Sequence, residues 1–217
     1  MISNKSHDIA NGLGFTFSGS KNNYSTPPEN FIIEVIKETG MSLIKRETRF
    51  HSLLRTWIQT NARYLRTDSL KTLSIDLSDD QLRILGSFCA IARDNDAHAR
   101  WFKLISFIQG RLNSKKIDIV PKEYPKEALD IFLKEFNIRY RNIPFQDERK
   151  FLGNQWLVKN NIWIRNRLLM TVSPRADLCS YFKLYKDRRE KNICKFISIG
   201  RSSFFALKSD IELIQSL

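Results

Sequence analysis

Apolar residues recur along most of this chain at steps of three and four, the spacing that gathers side chains on one face of an α-helix. The rhythm is longest between Thr48 and Leu65, where Phe50, Leu53, Leu54, Trp57, Ile58 and Leu65 share a stripe and Arg49, Arg55 and Arg63 lie off it. Shorter stripes run through Phe31, Ile32, Val35 and Ile36, through Leu82, Leu85, Cys89 and Ala92, through Trp101, Leu104, Ile105 and Ile108, and through Leu129, Phe132, Leu133 and Phe136. Start and stop residues fall at their ends. Thr26-Pro27-Pro28-Glu29 offers a capping hydroxyl, a proline for the first turn and the glutamate of a capping box, and Gly40 closes that helix. Ser78-Asp79-Asp80-Gln81 reads as a second capping box, and Asp96 as the cap of a helix running to about Leu112. Asp68 to Leu77 fits a helical turn or a strand. Ile117 to Val120 fits a short strand within a connector, Lys115 to Pro125, that holds Pro121 and Pro125 and is the best place for a domain boundary. Asp147 to Met170 reads as one broken helix or two. The fold class expected is mainly α, with no sheet of more than two short strands after Lys126.

The C-terminal end carries a tighter pattern. Ile193, Ile197 and Ile199 precede a turn at Ser198-Ile199-Gly200, and Phe204, Leu207, Ile211 and Ile214 follow it at helical spacing. Upstream, Ser173 can cap and Pro174 can open a helix that presents Leu178, Tyr181, Phe182 and Tyr185 on one side. The run from Ile193 through Cys194-Lys195-Phe196-Ile197-Ser198-Ile199-Gly200-Arg201-Ser202-Ser203 into Phe204 resembles the helix-turn-helix of bacterial transcriptional regulators. It departs from that pattern with Cys194 in place of the usual alanine and Ser198 in place of the usual glycine. Arg165-Asn166-Arg167-Leu168, followed by Arg175-Ala176-Asp177-Leu178, resembles a lead-in found before winged helices in bacterial regulators and antitoxin-like proteins, with Thr171 where its glycine is expected. The sequence reaches Leu217 with no wing, so either the natural chain continues or the unit is a plain three-helix reader. The organisation expected is an arm over 1–25, flexible or wrapped irregularly on the rest, a helical domain over 26–120 and a basic helical region over 121–217 whose helix-turn-helix, winged-helix-like, occupies about 174–217.

Charge strengthens that reading. The chain carries a formal +13 at a pI near 9.8, which implies an anionic partner, nucleic acid before a membrane surface or an acidic protein. Between Arg139 and Leu217 sixteen Lys or Arg stand against seven Asp or Glu, so most of the excess surrounds the proposed reader. The resemblance implies that its second helix enters the major groove of double-stranded DNA. Arg201 would then meet a guanine edge, and Ser202, Ser203, Phe205 and Ala206 would meet base edges beside it. Arg175, Arg188, Arg189, Lys195 and Lys208 would hold phosphates. A second copy of the chain, or a protein encoded in the same operon, is the further partner expected. Two alternatives stay open: a helical interaction module anchored by Phe204 and Phe205, and an RNA binder using the basic, aromatic-rich region from Arg139 to Arg167, which includes Tyr140 and Arg141.

The remaining chemistry is sparse. His7, His51 and His98 are the only histidines, none paired by spacing with a nucleophile, so no enzyme is expected. Asp76, Asp79 and Asp80 read as first-turn carboxylates favouring the positive end of a helix dipole; no metal and no cofactor are expected. Cys89, Cys179 and Cys194 read as buried, reduced core residues. With no signal-like apolar run before Thr26 and no stretch long enough to cross a bilayer, a cytoplasmic protein without membrane contact is expected.

Overall fold

Residues 10–15, 26–146, 151–187 and 189–215 are described by the computed structural model. Helices dominate. In chain order they are α1 (Pro28–Thr39), α2 (Ser42–Lys45), α3 (Thr48–Asn61), α4 (Thr67–Leu73), α5 (Asp79–Asn95), α6 (Ala99–Arg111), α7 (Ile131–Glu135), α8 (Asn154–Asn160), α9 (Ile162–Met170), α10 (Pro174–Leu184), α11 (Glu190–Phe196) and α12 (Arg201–Gln215). Among the described residues the only sheet pairs β1 (Ile117–Asp118) with β2 (Ile138–Arg139) in parallel, Ile117 opposite Ile138. No helix among these residues is long and apolar enough to cross a membrane.

Caps and turns largely follow local chemistry. Ser78 and Gln81 form the reciprocal capping box at the start of α5. Two expected caps move. The residue before α1 is Pro27, which makes no side-chain cap, and Glu29 is not a capping carboxylate but is fully buried. The cap of α6 is His98, whose Nδ1 accepts from the Arg100 amide, while Asp96 accepts from Arg100 and from the Trp101 indole. The ambiguous stretch from Asp68 is helical as far as Leu73, in α4, and then turns toward Leu77.

A large apolar core runs from Ala10 through α1, α3, α5 and α6 to Leu133, Phe136, Ile138, Tyr140, Leu157 and Ile164. It therefore continues across the connector at Lys115–Pro125, and residues on both sides fill one interior. Gly86 shows how closely they meet: a Cβ there would lie 2.3 Å from the Phe136 ring, so only glycine lets α5 receive it. Within the stretch expected as an arm, Ala10, Leu13 and Phe15 lie inside this core. The Trp57 indole donates to Leu13 O at 2.8 Å, and Asn161 Nδ2 donates to Gly12 O at 3.0 Å.

A second core starts where the first ends. It joins Ile162 and Trp163 with Leu178, Tyr181, Ile193, Ile197, Phe204 and Ile211. Helix α9 thus straddles both, Ile164 facing one and Trp163 the other.

Candidate nucleic-acid interface

Three helices, α10 to α12, build the basic C-terminal unit around that second core. α10 starts on Ser173, whose Oγ accepts from the Ala176 amide, with Pro174 at its first turn. Phe196 of α11 meets Tyr181, Tyr185 and Trp163 with ring centroids 5.2 to 6.0 Å apart, which fixes α11 against α9 and α10. The chain then turns through Ser198, which takes a positive φ of 53°. The amide of Ile199 returns to Cys194 O at 3.0 Å, and α12 begins at Arg201.

Burial divides α12 cleanly. Phe204 and Ile211 are buried and Leu207 is half-buried, whereas Arg201, Ser202, Ser203, Phe205 and Ala206 are all exposed. The five residues expected at base edges therefore share the outward side of the first half of one helix. Arg201 pairs through Nε with Glu190 at 2.9 Å, and its guanidinium lies 5.8 Å from the Phe205 ring. Arg175 pairs with Asp210 on α12 and lines, with Ser203 and Ala206, a groove of about 540 Å³. Arg189 pairs with Asp187, a carboxyl held well below the usual range by hydrogen bonds from the Arg189 side chain and amide and from Asn192. Lys195 is exposed and lines a different groove together with Lys37 and Asp76. Lys208 is half-buried, and Arg188 lies outside the described residues. These solvated ion pairs hold their arginines weakly, so a phosphate can displace the carboxylate at little cost.

What carries this unit on the rest of the protein is a buried ionic cluster that periodicity does not reveal. Arg167, on α9, is inaccessible to solvent and spends every N–H. It grips Glu29 through Nη1 and Nη2 at 2.7 and 2.9 Å, Asp177 through Nε and Nη2 at 2.7 and 2.9 Å, and Tyr64 O at 2.8 Å. Burial acts to lower its pKa, and the Asp177 and Glu29 carboxylates overcome that and hold it above the ordinary arginine value. Arg66 completes the cluster: its Nη1 donates to Asp177 at 2.6 Å and to Ile197 O at 3.1 Å, and its Nη2 to Ser198 O at 3.3 Å. A guanidinium thus meets the unpaired carbonyls where α11 ends, the place where a cation is favoured. Two arginines and two carboxylates from α1, the chain before α4, α9 and α10 tie the turn before α12 to the larger core.

Several expectations change here. Arg55, set off the stripe of α3, is buried against Asp130 between the rings of Phe132 and Phe145. Tyr140 is only 7% exposed, a core residue and no platform for a stacked base. Phe204 is buried and cannot anchor a partner. Cys89 is buried with its thiol pushed up by desolvation, but Cys179 and Cys194 are only partly covered, because α10 and α11 have one packed side each. Thr171, where the lead-in expects glycine, takes a positive φ of 65°. Among the described residues no group of three His, Cys, Asp or Glu could hold a metal. No family model, curated protein or solved structure matches the chain.

Proposed function

We propose that α10 to α12 act as a helix-turn-helix that binds double-stranded DNA in transcriptional regulation, α12 entering the major groove. The observation that carries this reading is the two-sidedness of α12: Phe204, Leu207 and Ile211 are turned inward, while Arg201, Ser202, Ser203, Phe205 and Ala206 are turned out together. A short N-terminal face with one arginine, two hydroxyls and two apolar groups suits guanine edges, mixed edges and thymine methyls. Arg175, Arg189 and Lys195 supply the surrounding positive charge. An antitoxin-like role, with an operon-encoded protein partner, is the narrower form of the same reading.

Electrophoretic or fluorescence titration of the protein with a mixed-sequence duplex over a salt series tests it. Affinity should fall steeply and linearly with salt on logarithmic axes. Absence of any duplex binding at low salt sinks the reading. One observation favours a second one, a protein-interaction surface: Phe205 is 49% exposed, and Leu168 and Leu169 on α9 are 53% and 74% exposed. Aromatic and leucine contacts would make binding nearly insensitive to salt, which separates the two.

A further inference from the structure

Between α4, the start of α6 and the start of α10 the surface closes into a cavity of about 380 Å³, within the range of small-ligand sites. Its wall is cationic. Arg66, Lys71, Arg100 and Lys103 line it, beside the His98 imidazole, against one carboxylate, Asp68. Arg100 is held in place by Asp96 and by Ala62 O and Arg63 O. Lys71 and Lys103, by contrast, are exposed and have no carboxylate partner among the described residues; the Lys71 ammonium rests 4.9 Å from the Phe107 ring. Unneutralised cations around a concavity focus positive potential into it. The first turns of α6 and α10 open on the same space through Ala99 and Pro174 and add the positive ends of two helix dipoles. Leu104 and Val172 provide an apolar floor.

We propose that this cavity binds a small phosphorylated molecule, its phosphate between Lys71 and Lys103 and its organic part along Leu104, Val172 and Pro174. Arg66 gives the site its reach. The same guanidinium that borders the cavity holds Ile197 O and Ser198 O in the turn before α12, so occupancy alters the hold on that turn and, through it, the presentation of α12. This regulatory half rests on the duplex reading above; the ligand site does not. The phosphate group could equally belong to a DNA backbone. The small molecule is favoured because the site is a cavity whose lining includes no residue of α12, the helix on which the duplex would dock.

Calorimetric titration with sodium pyrophosphate, at ionic strength held constant with chloride, tests the site on the intact protein. Saturable binding is expected, weakened at least tenfold in a Lys71→Ala, Lys103→Ala double variant whose thermal unfolding in chloride matches the wild type. Non-saturating heats, or equal binding by the double variant, overturn it. In a duplex titration, saturating pyrophosphate should change wild-type affinity at least threefold and leave the double variant's affinity unchanged. A double variant that loses duplex affinity tenfold, with no pyrophosphate binding by the wild type, assigns the cavity to a backbone phosphate and also overturns the proposal. If the wild type binds pyrophosphate but no duplex, the regulatory half falls together with the duplex reading and the ligand site stands.

Discussion

Arg201 holds the first position of α12, tied to Glu190 by a solvated ion pair that, on the proposed duplex reading, a base edge would replace. Arg201→Ala should remove a contact worth roughly 1–3 kcal/mol and relax sequence preference, since a bidentate guanine contact discriminates by about that much. Lys195→Ala should instead weaken binding to every duplex alike and lower the salt slope by about one. Affinity for a selected site and for mixed sequence, each over a salt series, reads both effects; equal loss on both duplexes for Arg201→Ala would contradict the base contact. His51 yields a prediction independent of DNA. Desolvation, helped by the charge of Arg55, lowers its pKa from the ordinary 6.5 to about 3, and neither ring nitrogen has a hydrogen-bond partner among the described residues. The folded protein therefore refuses a proton that the unfolded chain accepts below pH 6.5. Stability should be complete above that pH and fall by about 1.4 kcal/mol per unit as pH drops toward 3. Urea unfolding between pH 7 and 5, before the carboxylates titrate, should show that slope in the wild type and lose it in His51→Phe. Single residues were also where the sequence was least legible. Glu29 stands in a capping-box spacing, yet its partner Arg167 lies 138 positions away, and no local pattern connects them.

At the scale of elements much more could be read. The helical stripes of α1, α3, α5, α6 and α12 and the second capping box depend on neighbours within a turn or two, which is why spacing alone locates them. The positions expected to hold glycine were equally legible, since Thr171 and Ser198 interrupt familiar patterns at the points where the backbone takes positive φ. A branched residue at φ 65° and ψ 166° is strained, because that region is nearly reserved for glycine. Thr171→Gly should therefore raise stability by about 1 kcal/mol or more, despite the flexibility glycine adds to the unfolded chain, and Ser198→Gly should do the same to a smaller degree. Thermal unfolding of each variant checks this; a lower midpoint for Thr171→Gly would show that its hydroxyl or methyl is doing something the backbone strain does not outweigh. The caps before α1 and α6 depart from local expectation because Glu29 is drawn to the distant Arg167, and Asp96 to Arg100 and the Trp101 indole one turn on.

For the whole molecule the ionic cluster decides how the two cores behave. Removing Arg167 leaves Glu29 and Asp177 buried with only Arg66 to neutralise them, and breaking a buried pair in this way costs on the order of 3–5 kcal/mol. Arg167→Ala should lose that much in urea unfolding, and Arg167→Lys should recover little of it, because an ammonium cannot reproduce a fork that meets two carboxylates and Tyr64 O together. Recovery by lysine would mean that charge alone matters there. The same cluster limits how far helices α10 to α12 can be treated as a transferable part. An engineer who cut out α10 to α12 to graft them on another scaffold would leave behind Glu29, Arg66 and Arg167, strand Asp177 without its cations and release the carbonyls of Ile197 and Ser198. Portability would require carrying three residues from three distant parts of the chain, so the presentation of α12 is a property of the whole protein.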